Sequence, residues 1–312
     1  LVVWAGDAMQ MIKTVALATR RGLVVIETSL IRAYDKRIRA AIEKEFGRND
    51  FKYLINTHYH HDHTAGNQIY ADATVIGHKN LPAGMREELT GEGLVKLIDK
   101  FKGMKGARQE ELGKLDPGTR EYTFTKEFLI CLDLAIEELG SGLVPTYPSI
   151  VFEKNLVIDM GDMTLELYSM GGMHTNSDIA VFIPEEGLVA VGDVMPERWL
   201  PRIRKDIAED FPSTLQNWGR IVDGSREITH VNMAHSDMYL SVETFQQQFA
   251  YLQALWQGLK EMQEGGRTLD EARARYSIKE DFPYFYDERT AARRDALHKN
   301  NIEVFWDLLK GR

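Results

Sequence analysis

The alternation of apolar and polar residues predicts a β-rich start to the chain. Leu1 to Trp4, Ile12 to Leu17 and Leu23 to Thr28 read as strands, with Arg20-Arg21-Gly22 as the turn between the second and third. A helix follows near Tyr34 to Phe46, and a further strand at Tyr53 to Ile55. From Leu81 to Ser149 the period turns helical. Phe124, Phe128, Leu132, Ala135, Ile136 and Leu139 fall on one helix face, suited to core, to a homodimer face or to a lid over a pocket. Strand patterns return at Val151 to Phe152, Leu156 to Ile158, Met163 to Tyr168, Ile179 to Ile183 and Leu188 to Val191, separated by Gly, Asp and Pro turns. Beyond His235 the residues Phe245, Phe249, Leu252, Leu255, Trp256 and Leu259 recur at helical spacing. Thr268-Leu269-Asp270-Glu271 is a capping box opening a short helix, and a last helix spans roughly Glu288 to Leu309.

With no repeat, low-complexity tract or linker, this succession predicts an α/β fold in a single domain over residues 1–312. Its core is about 1–80 and 150–240, with a helical insertion at about 81–149 and a helical C-terminal segment at about 241–312. Composition refines this little: 312 residues, 44% of them hydrophobic, are enough to bury a large core. The formal net charge of −9 argues against a nucleic-acid partner, because phosphate binding calls for a basic face. No stretch approaches the roughly 18 apolar residues of a membrane span. The chain begins at Leu1 rather than Met, so a targeting segment is expected to have been removed or never included, which leaves a soluble cytoplasmic or exported protein as the expectation. Cys131 is the single cysteine. It excludes an internal disulfide framework and a thiolate cluster, so any metal must be held by His, Asp or Glu.

Those residue types gather in one place. Thr57-His58-Tyr59-His60-His61-Asp62-His63 runs directly out of the strand at Tyr53 to Ile55, at the strand end where open α/β sheets place their sites. An extended backbone points His58 and His60 to the same side, so they can share one metal. After a change of direction, Asp62 and His63 can reach a second. A zinc site needs at least three protein ligands. The downstream chain offers His174 in Gly171-Gly172-Met173-His174-Thr175, Asp193 after Gly192, and His235 in Ala234-His235-Ser236. The neighbouring glycines let the backbone come close to a metal. The bland alternative is a solvated polar cluster for the loop and ordinary turn residues for the other three. Alternation points His61 away from His60, toward a supporting or exposed role, while His78, His230 and His298 read as ordinary histidines, with support of His235 as the lesser alternative for His230. Asp178 either orients a ligand or caps a turn, and the turn is favoured. Arg198, Trp199 and Tyr239 follow ligand-bearing loops and could meet substrate, with packing or solvated surface as the commoner fate.

The pattern HxHxDH followed by His, Asp and His resembles the metallo-β-lactamase superfamily over about residues 1–240. The resemblance implies an αββα sandwich with its site at the edge between two β-sheets. It also implies two divalent metal ions, zinc first, with iron or manganese as alternatives. On this pattern His58, His60 and His174 hold the first metal, Asp62, His63 and His235 the second, and Asp193 bridges them, with Asp62 also catalytic in steering the nucleophile or a later proton. The implied activity is hydrolysis of an ester or amide bond in a small-molecule substrate, such as a lactone or β-lactam, by a hydroxide between the metals. A thioester is the next choice, since an Asp bridge is more like glyoxalase II-like hydrolases than many antibiotic-degrading lactamases. Rival members are the iron-dependent redox enzymes, although their di-iron pattern usually puts an acid where this chain has His60. An RNase Z-like phosphodiesterase or nuclease is disfavoured by the acidic chain, and a vestigial binding module by the complete ligand set. The long interval before His174, and Asn232-Met233-Ala234-His235-Ser236 in place of Pro-Gly-His-Gly, depart from the pattern without removing a ligand. They direct attention to the insertion and the C-terminal helices as the shapers of specificity.

Overall fold

Uninterrupted apolar runs form the innermost strands, because a strand covered on both faces has no polar side to show. The structure, a computed structural model, describes residues 2–4, 12–194, 199–208, 210–224, 226–235 and 241–311. It divides into two compact units: Leu1–Glu153 with Asp159–Asp162 and Ala234–Asp237, and Lys154–Ile158 with Met163–Met233 and Met238–Arg312.

The first unit holds a six-stranded sheet in the order β1 (Val2–Trp4), β2 (Thr14–Thr19), β3 (Gly22–Ile26), β4 (Phe51–Ile55), β5 (Thr74–His78) and β6 (Ile150–Phe152). The first three are antiparallel neighbours, and β3 to β6 pair in parallel. Strand β2 lies two residues later than its apolar run suggested, because the hairpin pairs Thr19 with Gly22 and so sets the register. Gly22 is needed there: its φ is +134°, and a Cβ would lie 2.6 Å from the Cβ of Lys52. Strand β5 was not expected. Thr74-Val75-Ile76-Gly77-His78 is short, and Gly77 breaks its pattern, yet a Cβ at Gly77 would come within 2.7 Å of the Leu81 side chain.

Helix α1 (Arg32–Phe46) buries Ile38 and Ile42 and ends on Gly47 in the left-handed region. After the single turn α2 (His61–Thr64) come α3 (Leu81–Leu89), α4 (Gly91–Leu112) and α5 (Arg120–Gly140), so residues 81–149 are helical as the periodicity requires. Their shared core includes Leu81, Met85, Leu97, Phe101, Leu132 and Leu139. Most of the α5 stripe is therefore core, with Phe128 and Ile136 partly buried, but Phe124 in its first turn is exposed.

Asp35 on α1 is fully buried, where its carboxylate accepts bonds from the backbone N–H and hydroxyl of Ser29. Burial pushes its carboxyl up to about 7, more than the Ser29 bonds lower it. The folded state then binds a proton that the unfolded state gives up near pH 4. This group's contribution is complete at low pH and is lost as the pH climbs toward and past 7, a change of up to roughly 4 kcal/mol. In Asp35→Asn that slope disappears. Urea unfolding at pH 5 and pH 8 should show the variant gaining on the wild type at the higher pH; parallel slopes would count against a buried proton.

The second unit holds a five-stranded sheet in the order β11 (His230–Met233), β10 (Leu188–Gly192), β9 (Ile179–Ile183), β8 (Thr164–Ser169), β7 (Asn155–Asp159). Every residue of β9 and β10 is buried. Strand β11 and helix α6 (Phe211–Val222) escaped the pattern. The strand is only four residues with His230 and Asn232 inside it, and the helix carries Pro212 and Gly219. Pro212 sits in the first turn, where a missing N–H costs nothing, and Asp210 caps the start by accepting from Ser213 N–H. Helices α7 (Val242–Glu264), α8 (Leu269–Arg275), α9 (Ile278–Asp281) and α10 (Ala291–Lys310) complete the unit, and Thr268 and Glu271 form both bonds of the expected capping box. Trp218, Phe245, Leu255 and Phe305 lie in their common core.

Among the described residues there are two sheets and ten α-helices, the α/β class with C-terminal helices that the sequence indicates. None of the described helices is long and apolar enough to cross a membrane.

Candidate metal centre

Strand β4 delivers the His-rich loop. The backbone continues extended past Ile55, and the i and i+2 side chains meet: His58 Nε2 lies 3.1 Å from His60 Nδ1. Thr57 Oγ1 is 3.1 Å from His58 Nδ1, so the far nitrogen of His58 faces His60. The single turn α2 then supplies the change of direction, and it brings Asp62 and His63 against His235. The ligand atoms of these three all lie within 4.8 Å of one another. His235 Nε2 stands 3.0 Å and His63 Nε2 3.9 Å from the same Asp62 oxygen. Burial would raise the Asp62 carboxyl, but the fields of His63, His61 and His235 and the His235 hydrogen bond outweigh it and hold it well below the usual carboxylate range.

The loop is locked by residues that the sequence reading passed over. Glu27, one residue beyond β3, is buried, and its carboxylate accepts from His63 Nδ1 and, at 2.6 Å, from Thr57 N–H. The His63 proton is thereby placed on Nδ1, which makes Nε2 the atom that could serve a metal. Glu27 has φ +71°, the one described non-glycine residue with a positive φ. Asn56 Nδ2 donates to the His63 carbonyl at 2.8 Å and Thr28 Oγ1 to the same oxygen at 2.9 Å, while Asn67 Nδ2 donates to Asn56 Oδ1 at 2.8 Å. All three side chains are fully buried, so the backbone of the loop is pinned from beneath.

His61 falls on the other side, as alternation indicates. Its backbone N–H and Nδ1 lie 2.9 and 3.1 Å from a Glu88 oxygen on α3. His78 and His298 serve structure, the first beside the Glu153 carbonyl and the second buried against the Tyr251 hydroxyl. His230 is exposed, with Nδ1 2.8 Å from Thr229 Oγ1.

In the second unit His174 Nε2 lies 3.6 Å from Asp193 Oδ2. The two glycines before His174 are obligatory. At Gly171, φ +61°, a Cβ would overlap the Thr214 hydroxyl at 1.6 Å, and at Gly172, φ +73°, it would sit 2.1 Å from the Ile207 carbonyl. Asp178 organises the turn that follows. Its buried carboxylate accepts from the backbone N–H groups of His174 and Thr175 and from the Thr175 hydroxyl. The favoured turn reading therefore holds, and because the turn carries His174, Asp178 also fixes a candidate ligand. Trp199 is half-buried and lines a cavity beside His174 and Asp193. Arg198 and Tyr239, the other two substrate-contact candidates, lie outside the described residues.

Imidazole nitrogens and carboxylate oxygens with no thiolate form a donor set that fits zinc, manganese or iron. The family model described as the metallo-beta-lactamase superfamily matches residues 14–231. The chain belongs to that superfamily. This member resembles, over 98% of its length, the sec-alkylsulfatase Pisa1 from Pseudomonas sp. with TM-score 0.54 and 13% identity, and it spans only 48% of that longer chain. A metallo-beta-lactamase family protein from Thermus thermophilus aligns with 96% of this chain and 88% of its own at TM-score 0.47 and 16% identity. A metallo-beta-lactamase from Pontibacter korlensis aligns with 78% of this chain and 87% of its own at TM-score 0.47 and 14% identity. At these identities the likeness is one of fold. A search of curated proteins found no significant match.

Proposed function

We propose that this superfamily member is a binuclear metal-dependent hydrolase of an ester or amide bond in a small molecule, a lactone or β-lactam first and a thioester next. The observation that carries the reading is the meeting of Asp62, His63 and His235, two imidazole nitrogens aimed at one ionised carboxylate, on a loop that already holds His58 and His60 together. In the proposal His58, His60 and His174 would hold one ion, Asp62, His63 and His235 the other, and Asp193 would be a ligand to both, the assignment that family membership supports. Two divalent ions bound there would supply a hydroxide nucleophile at neutral pH and polarise the scissile carbonyl. Asp62, held ionised, would bind the second ion and steer the nucleophile or a later proton by accepting its hydrogen bond. Glu27 keeps the His63 ring turned so that Nε2 serves as ligand. The formal charge of −9 favours a small molecule over a nucleic acid as substrate.

Elemental analysis of the purified protein, alongside assays on a lactone, a β-lactam, a thioester and a phosphodiester, tests this directly. The expected result is about two zinc ions per chain with turnover of one of the first three. Iron with no hydrolysis overturns the proposal in favour of a redox member, and phosphodiester cleavage alone in favour of a nuclease.

A further inference from the structure

A cavity of about 490 Å³ lies wholly in the second unit beside His174 and Asp193. Its apolar wall is Met173, Val194 and Leu200, all buried, with Leu297 from α10. Its polar lining has Asp193 and His174 at one side and three cations, Arg202, Arg204 and Arg293, with Asn300 making up the rest. The positions 293, 297 and 300 on α10 follow helical spacing, so one face of that helix turns an arginine, a leucine and an asparagine toward the same space.

The three arginines are not equivalent. Arg204 pairs with Asp206 at 2.7 Å and donates to the His174 carbonyl at 3.3 Å, so its charge is matched and its task is structural. Among the described residues, Arg202 and Arg293 form no ion pair. Arg293 is instead stacked on Trp199, 5.0 Å from the ring centroid. Trp199 is held by Arg294, 4.4 Å from the same ring, which itself donates to Thr290 Oγ1 and to the Phe285 carbonyl. In an acidic chain, two guanidinium groups that form no ion pair among the described residues, Arg202 meeting only the longer-range field of Asp206, line one apolar-walled cavity and favour an anion at that place.

Building on the hydrolase reading, we propose that this cavity recognises the substrate itself, and that the substrate is a small organic anion. Its carboxylate, or another oxyanion of the same geometry, is held by Arg202 and Arg293, and its apolar part lies against Met173, Leu200 and Leu297. The bond to be cleaved then lies toward His174 and Asp193.

The test uses a matched pair of probes, phenylacetate and phenylacetamide, which share shape and differ in charge. Their binding to the full chain is measured by titration calorimetry at constant ionic strength, before and after the metal is removed with a chelator. Phenylacetate is expected to bind about tenfold more tightly than the amide. The preference should persist without metal, disappear in the double variant Arg202→Ala, Arg293→Ala, and be partly kept in Arg202→Lys, Arg293→Lys. Both side chains are exposed, so the variants should fold, which circular dichroism verifies. Equal binding of the two probes, binding of neither, a preference that vanishes on chelation, or one that survives the alanine pair overturns the proposal. No hydrolysis enters this readout. A charge preference in a protein with no hydrolytic activity would sink the hydrolase reading while the anion site stands, and the converse result would do the reverse.

Discussion

Replacing Asp62 with Ala is expected to lower turnover at least about a thousandfold on whichever substrate the wild type cleaves, and to remove about one metal equivalent per chain. Asp62 is the point on which His63 Nε2 and His235 Nε2 converge, and both tasks proposed for it depend on its negative charge. As a ligand it neutralises part of a dication held otherwise by neutral imidazoles. As an acceptor of the nucleophile's hydrogen bond it must be ionised, which a dication beside it would favour. Asp62→Asn separates the two tasks, because the amide oxygen can still ligate while the charge and the proton acceptor are gone. It should retain more metal than Asp62→Ala yet recover little activity. The readouts are kcat and metal content on the same preparations. Near-normal kcat in either variant would remove Asp62 from the chemistry, and an unchanged metal content in Asp62→Ala would remove it from the ligand set.

The second large effect is expected at Glu27, a residue with no place in any motif. Its carboxylate is buried, orients His63 and closes the N–H of Thr57, so Glu27→Ala leaves two buried donors unmet. That should cost about 2–4 kcal/mol of stability and weaken metal binding about 10–100-fold. Glu27→Gln keeps the shape, but an amide cannot accept from both neighbours with both of its ends, so one of the two bonds is lost. It should fold well and bind metal more weakly than the wild type. The φ of +71° gives a further comparison. Glu27→Gly relieves the backbone while losing the same carboxylate, so it should be more stable than Glu27→Ala by about 1 kcal/mol. Denaturant unfolding and competition with a chromophoric chelator read both quantities. An alanine variant with wild-type metal affinity would show that His63 needs no such partner.

How the site was legible follows from where its partners come from. His58 and His60 were readable because two-residue alternation is a local property of an extended chain, and the direction change at α2 was readable from the same seven residues. The requirement for glycine before His174 was visible as composition, but its reasons, the Thr214 hydroxyl and the Ile207 carbonyl, were not. Short elements were lost where a glycine, a proline or a polar residue broke the period, as in β5, α6 and β11.

The sequence by itself determined the α/β class, the helical insertion and tail, the seven candidate ligands and the family, because these rest on local periodicity and on the order of chemically distinctive side chains. Only the tertiary structure decided what supports and surrounds them. Glu27 reaches His63 across 36 positions because β3 and β4 pair in parallel with Ile26 beside Ile55, which sets the end of one strand against the start of the loop leaving the other. Arg202 and Arg293 share a cavity because α10 returns to the segment that follows β10. Strand register and helix docking are set by burial summed over the whole unit, and no spacing within a single segment records them.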